Sequence, residues 1–275
     1  MLSLATDYAA DAGCPEPALR GMARAGFSHV HWCHQWSTDF LYSKPEVEQI
    51  ARWLDEFGLT LIDLHGSAGR EKWWGSEREY ERLAGIELVA NRIAMTRRLG
   101  GDAVVMHLAK EPEEATEKGA YWDRTRRTLD ALKPTAASFD VRIALENVAP
   151  SNHSTLARVL ELYGPDCLGI CYDAGHGNMC GDGIDWLEQH AERLIAVHLH
   201  DNDGVGDEHR LPGMGTVDWP RLARVIARSS YKKPLSLEVS QKNSGYEARE
   251  EAFLAAAHAA GERLMNAESG VRNSE

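Results

Sequence analysis

Residues 194–209 read Leu194-Ile-Ala-Val-His-Leu-His-Asp-Asn-Asp-Gly-Val-Gly-Asp-Glu-His209, an apolar β-rich run that opens into a loop crowded with charge. Seven His, Asp or Glu side chains fall within the twelve positions from His198 to His209. A solvated acidic loop has no need of histidines. A metal site needs both residue types close together at the end of a rigid element. The fold therefore turns on whether the same arrangement, an apolar strand ending in acids and histidines, recurs along the chain.

It does. β-rich runs occur at Leu2–Thr6, Phe27–Trp32, Leu59–His65, Asp102–Leu108, Val141–Asn147, Leu168–Asp173, Leu194–His200 and Pro234–Val239. Segments with helical periodicity lie between them, including Pro45–Phe57, Tyr80–Leu99, Tyr121–Phe139 and Ser154–Tyr163. Several carry Pro or Ser near the start and Gly near the end. Strand and helix alternating in this way predict a single-domain α/β protein, a (β/α)8 TIM barrel over residues 1–265. A doubly wound open sheet is the competing arrangement, but no GxGxxG turn follows the first strand. Periodicity fades near Asn266, so residues 266–275 are expected to form a disordered tail.

A barrel of this kind gathers its active site from the C-terminal ends of the strands. Strand 3 ends in Asp63-Leu-His65, strand 4 in Val105-Met-His107, strand 5 in Ala144-Leu-Glu146-Asn147, strand 6 in Tyr172-Asp173-Ala-Gly-His176 and strand 8 in Ser236-Leu-Glu238. Residues two apart on a strand share a face, so these polar ends can converge on the barrel axis. His198 and His200 have the same parity, which leaves the choice between them open. A single buried histidine is more often a hydrogen-bonded core residue than a ligand. Three carboxylates in one mouth, with no Lys or Arg at matching strand ends, must share protons or cations. The reading favoured here is a metal centre.

Other residues near the mouth have two readings each. Trp36, Trp73 and Trp74 follow strands 2 and 3, where they can wall a sugar pocket or simply pack. Lys72, Lys110 and Arg210 fall on loops of the same side, as anion ligands or as ordinary surface charges.

Composition bounds the partners. Lys and Arg total 30 against 42 Asp and Glu, a net charge of −12, which disfavours nucleic acid and anionic membranes. The Arg124, Arg126, Arg127 group sits in a helical pattern and reads as a solvated face. Five cysteines without a CxxC pair point to a reducing compartment. No signal peptide or membrane-length apolar run is present, so a cytoplasmic location is expected. There is no Gly-x-Ser-x-Gly elbow, and no cysteine has a catalytic context.

With these motifs in hand, the chain resembles the xylose isomerase-like TIM barrel superfamily, which holds sugar isomerases and epimerases together with endonuclease IV. The likeness rests on Leu145-Glu146-Asn147, Tyr172-Asp173-Ala-Gly-His176, His198-Leu-His-Asp201-Asn, Asp207-Glu-His209, Gly213-Met-Gly215-Thr-Val-Asp-Trp219 and Leu237-Glu238. It implies a metal held by Glu146, Asp173, His198 and Glu238, the set used by ketose epimerases, with His200 as the alternative strand-7 ligand. It implies that His176 binds a substrate oxygen and that Glu146 and Glu238 act as acid and base. The further zinc ligands of endonuclease IV are matched by His65, His107, His176, Asp207 and His209. The loop after His107, however, reads Leu-Ala-Lys110 where that endonuclease has Pro-Gly-Ser.

The expected function is a divalent-metal-dependent sugar or sugar-phosphate isomerase or epimerase working through a metal-stabilised enediolate. The alternatives are an abasic-site DNA hydrolase, a metal-dependent carbohydrate lyase or dehydratase, and a barrel that only binds a ligand. Mixed N and O donors without Cys favour Zn or Mn, with Fe and Co next. The expected partner is a small-molecule carbohydrate, without membrane or nucleic acid; a homo-oligomer is compatible with the chain.

Overall fold

In the computed structural model, which describes residues 1–9, 13–242 and 244–272, all eight apolar runs become parallel strands. They are β1 (Leu2–Ala5), β2 (His29–Trp32), β3 (Thr60–His65), β4 (Ala103–Met106), β5 (Arg142–Glu146), β6 (Leu168–Asp173), β7 (Leu194–His198) and β8 (Leu235–Leu237). Each pairs with its sequence neighbour, and β8 returns to pair with β1. The remaining seam, between β7 and β8, is joined by a parallel bridge from Leu199 to Leu237. There Leu199 N donates to Ser236 O at 2.9 Å and Glu238 N to Leu199 O at 3.2 Å. The sheet is thus a barrel of one domain, as the alternation predicts.

Helices α1 (Glu16–Arg24), α2 (Lys44–Phe57), α3 (Glu79–Arg98), α4 (Ala115–Phe139), α5 (His153–Leu162), α6 (Ala174–Cys180), α7 (Gly183–His190), α8 (Trp219–Arg228) and α9 (Glu250–Arg272) cover the connections. Their limits follow local chemistry. Ser43 and Glu46 form a capping box at the start of α2, and Gly58 closes that helix at φ 67. Asp218 caps α8 by accepting from Arg221 N, with Pro220 in the first turn. Helix α4 begins six residues before the predicted Tyr121. Helix α9 runs to Arg272, past the expected order limit at Asn266. Ala267 and Glu268 are good helix formers, and a helix already nucleated needs no apolar face to continue. Residues 273–275 lie outside the described residues. No helix among the described residues is long and apolar enough to cross a membrane.

Large apolar side chains such as Leu4, Val30, Leu64, Val104, Leu145 and Val197 fill the layer between strands and helices. A separate small cluster, Ala103, Val105, Ala144, Cys171, Ile195 and Ala196, packs inside the barrel. Alternation then carries Glu146, Asp173 and His198 to the same side as Ala144, Cys171 and Ala196, one step nearer the C-terminal rim. Strands β4 and β8 stop short of the predicted ends, leaving His107 and Glu238 just past the last paired residue.

Candidate metal centre

Of the strand-end acids and histidines of the sequence reading, His65, His107, Glu146, Asp173, His198 and Glu238 meet at one mouth, and Asp63 lies beneath them. The carboxylates of Glu146, Asp173 and Glu238 and the His198 ring each offer one donor atom, all within 4.8 Å of one another and all buried. His198 Nδ1 lies 3.1 Å from Glu146 Oε2 and 3.0 Å from Glu238 Oε2. Glu146 Oε2 also faces a second pair of rings, His107 Nε2 at 3.1 Å and His65 Nε2 at 3.5 Å, with the two Nε2 atoms 3.3 Å apart. A third group lies outward, where Asp207 Oδ2 is 3.4 Å from His176 Nε2 and Asp207 Oδ1 is 3.3 Å from His209 Nε2.

These separations fit cations. Two ligand atoms each ~2.1 Å from a shared tetrahedral ion lie about 3.4 Å apart. Glu146 Oε2 and both nitrogens of His198 are buried without a hydrogen-bonding partner, an arrangement that costs free energy unless a cation or proton is shared. The outer rings are aimed by backbone acceptors. His176 Nδ1 donates to Asn147 O at 3.0 Å and His209 Nδ1 to Glu238 O at 2.7 Å, which turns both Nε2 atoms toward Asp207. His209 adopts φ 48, a left-handed conformation uncommon for a residue with a side chain, and this places its ring over Glu238.

His198 and His200 have different places. His198 joins the four-donor group. His200 Nε2 lies 3.0 Å from Asp173 Oδ2, and its ring stacks on His209 with centroids 4.0 Å apart. Gly175 makes room for it: a Cβ there would sit 1.9 Å from His200 Cε1. Asn147 ties β5 to β6 by exchanging hydrogen bonds with the Asp173 backbone, at 2.8 and 3.0 Å.

Burial by itself raises the Glu146 and Glu238 carboxyls, but His107 and His198 beside the first, and His198 beside the second, hold both well below the usual range. Burial disfavours charge on His176, yet the Asp173, Asp207 and Glu146 carboxylates push it up to about 12. His209 is pushed up to about 10 in the same way, chiefly through its bond to Asp207 against the effect of burial. A bare cluster therefore collects protons, and a divalent ion would displace them.

The peripheral expectations fare unevenly. Trp36 caps the mouth, its ring 4.8 Å from His65 and 5.4 Å from His107. Trp73 is half-buried and packs against the core. Trp74 is a core residue, 2% exposed, and does not wall a pocket. The loop carrying it folds onto α3, where a Cβ at Gly85 would come within 2.1 Å of Trp74 N. Lys110 is exposed and pairs with Glu113 at 3.2 Å. Arg210 pairs with Glu208. Lys72 is half-buried on the loop, and its backbone N–H donates to Asp39 at 2.9 Å.

Three residues of consequence escape the sequence reading. Asp201 is fully buried and accepts from Gly213 N, Val217 N and Trp219 Nε1 at 2.8, 3.1 and 2.8 Å, pinning the loop that carries Asp207 and His209. His31 and Asp63 lie beneath the cluster, joined at 2.7 Å. Their parity with Cys33 and His65 was a legible signal.

A family model described as xylose isomerase-like TIM barrel matches residues 19–260. The chain is 29% identical to the uncharacterized protein y4fM of Sinorhizobium fredii, over 90% of this chain and 88% of that one. It is 27% identical to a probable endonuclease 4 of Mycobacterium ulcerans, over 52% of this chain and 60% of that one. Among solved structures, a D-tagatose 3-epimerase-like protein superposes with a TM-score of 0.80 at 19% identity, covering 99% of this chain and 98% of that one. The IOLI protein with a bound zinc atom superposes at 0.75 and 16% identity, covering 96% and 97%. At these identities the superpositions show the fold.

Proposed function

We propose that this chain, which belongs to the xylose isomerase-like TIM barrel family, is a divalent-metal-dependent isomerase or epimerase of a small sugar or sugar phosphate. The observation that carries the reading is the placement of Glu146 and Glu238. They come from non-adjacent strands, are both buried, and present carboxylate oxygens to one imidazole, His198, at 3.1 and 3.0 Å.

Glu146, Asp173, His198 and Glu238 would hold the ion, for which zinc and manganese suit the mixed N and O donors best, with iron and cobalt next. When bound, it supplies Lewis-acid polarisation of neighbouring substrate oxygens. One glutamate, held ionised, takes the proton from the carbon between a carbonyl and a hydroxyl, leaving an enediolate. The other, which first takes a proton from solvent, returns it from a different side and is left ionised. Return to the same carbon gives an epimer; return to its neighbour, with the hydroxyl proton passing from one oxygen to the other, interconverts aldose and ketose. His176, with Nδ1 committed to Asn147 O, points Nε2 toward Asp207 Oδ2 at 3.4 Å, from where it would meet a substrate oxygen entering beside that carboxylate. Trp36, over His65 and His107, offers an apolar face for the sugar ring and excludes water. The D-tagatose 3-epimerase-like neighbour supports a ketose as the first substrate class to test.

The test is incubation of metal-loaded protein with a panel of ketoses and their phosphates in heavy water. Deuterium at the carbon next to the carbonyl, together with a new epimer or isomer, is the expected result. A product lacking a water molecule would instead identify a lyase. Failure of every sugar to exchange hydrogen would overturn the proposal.

A second reading has its own observation. Glu146 Oε2 serves two donor groups and Asp207 a third, an arrangement suited to several ions and to phosphodiester hydrolysis, and the 27% identity to a probable endonuclease 4 runs in the same direction. Against it stand the net charge of −12 and the ion pairing of Lys110 and Arg210 at the rim. Nicking of abasic duplex at physiological salt, abolished by chelator, would promote it.

A further inference from the structure

Beneath the donor groups, the barrel interior holds a row of polar side chains that the proposed chemistry does not use. Lys233 Nζ lies 2.6 Å from Asp102 Oδ1 and 3.6 Å from Asp63 Oδ2. Asp63 Oδ1 lies 2.7 Å from His31 Nδ1, and His31 Nε2 lies 2.8 Å from His65 Nδ1. His65 Nε2 then faces His107 Nε2 and Glu146 Oε2 at 3.3 and 3.5 Å. Asp63 and His31 are fully buried and His65 is 3% exposed, so bulk water does not reach the middle of the row.

The order of donors and acceptors along the row is determined by its first member. An ionised carboxylate offers only acceptors, so the hydrogen in the Asp63 contact sits on His31 Nδ1. With one hydrogen on the His31 ring, its Nε2 is an acceptor, and the single hydrogen in the contact between the two rings belongs to His65 Nδ1. The Cys33 sulfur, 3.5 Å from the same nitrogen, is a weak acceptor and suits the same arrangement. His65 Nε2 is left with its lone pair toward His107 and Glu146.

We infer that Asp63 and His31 are positioning residues that lock His65 in its Nδ1–H form, so that Nε2 is a donor atom for a cation shared with His107 and Glu146. This rests on the metal-dependent reading above. His31 also packs against His198, with ring centroids 4.4 Å apart, so one buried ring braces donors of both inner groups. Asp63→Asn should reverse the order: the amide can turn its NH2 to His31 Nδ1, moving that ring's hydrogen to Nε2 and forcing the His65 hydrogen onto its own Nε2.

The experiment reads the tautomer directly. Long-range 1H–15N spectra of metal-free, histidine-labelled protein separate the two neutral forms, with His65 assigned by the signals lost in His65→Gln. The expected result is Nδ1–H for His65 in the unmutated protein and Nε2–H in Asp63→Asn. Zinc alone, titrated against a chelator, should bind about 10- to 100-fold more weakly to the variant. An Nε2–H form in the unmutated protein would overturn the inference, as would a folded Asp63→Asn with unaltered tautomer and zinc affinity. If the variant does not fold, the spectrum of the unmutated protein decides alone. Protein that shows the Nδ1–H form and binds zinc but exchanges hydrogen with no sugar keeps this inference and removes the sugar reading.

Discussion

The Glu146 carboxylate and the His198 imidazole meet at 3.1 Å in the barrel mouth, and neither Glu146 Oε2 nor His198 Nδ1 has a hydrogen-bonding partner. Both residues are essentially closed to solvent, at 1% and 0% exposure. A carboxylate in that position is stabilised by a proton on the ring or by a cation that satisfies both groups, and the second also satisfies Glu238 and Asp173.

Metal binding should therefore stabilise the folded chain. Purified protein is expected to carry at least one divalent ion, and zinc or manganese added to stripped protein should raise the melting temperature. An ion at 100 times its dissociation constant contributes about 2.7 kcal/mol. Glu146→Gln should lose most of that gain, because Glu146 Oε2 serves two donor groups. Elemental analysis without metal, and melting curves indifferent to all four candidate ions, would refute the metal centre.

The sequence exposed most of this architecture because apolar runs in a barrel are separated by helices whose periodicity differs from their own. Strand ends were harder to place. The ladder stops at Met106 and Leu237, where the chain splays to aim His107 and Glu238 into the mouth, and composition does not record that divergence. Glu146 and Asp173 are legible because strand parity carries them to one side, whereas His198 and His200 share a parity that does not tell them apart. Asp63 and His31 were overlooked because a lone buried acid or histidine looks like core, and only the 2.7 Å pairing between strands gives them a role. Trp74 misleads for the opposite reason: an aromatic just past a strand can face either way, and the absence of a side chain at Gly85, on another element, draws its loop inward.

Asp201 is expected to control loop order and not chemistry. Asp201→Ala would remove the acceptor of four donors, of which those on Asn202 and Val217 are buried and those on Gly213 and Trp219 are partly open to water. At ~1–3 kcal/mol for each of the two buried unpaired groups, a loss of about 2 kcal/mol or more follows. Urea unfolding should show this, and elemental analysis should find the outer Asp207 group depleted before the inner one. A stability within 0.5 kcal/mol of the unmutated protein, about the span of an ordinary surface substitution, would show that the loop is held by other contacts.

Acid should weaken the fold through Asp63. Burial favours its neutral form, but the Lys233 charge and the His31 hydrogen bond lower it from 3.8 to about 2. A depressed carboxyl contributes stability that is present above its unfolded value and is lost as pH falls through the folded one. The window is thus pH 4 down to 2, with an effect on the order of 2 kcal/mol. Asp63→Asn should be less stable than the unmutated protein at neutral pH, with the gap closing toward pH 2. A constant gap, measured by denaturant unfolding of metal-free protein across that range, would count against an ionised Asp63.

The two glutamates decide whether the mouth moves protons or only holds an ion. Glu238→Gln keeps an oxygen that can still ligate but removes the proton acceptor, so turnover should fall by about 10²- to 10⁴-fold or more while metal remains bound. Glu146→Gln should fall as far or further, since the same change also weakens a donor shared by two groups. Asp207→Asn and His209→Ala should cost less, because Asp207 lies outward and is 42% exposed, and neither residue belongs to the four-donor group of Glu146, Asp173, His198 and Glu238. Deuterium entry into substrate should fall in parallel with turnover in the glutamine variants, since both pass through the same proton transfer. If those variants turn over normally and the Asp207 and His209 variants are inactive, the chemistry belongs to the outer group, and the hydrolytic reading, which needs that group loaded, replaces the epimerase.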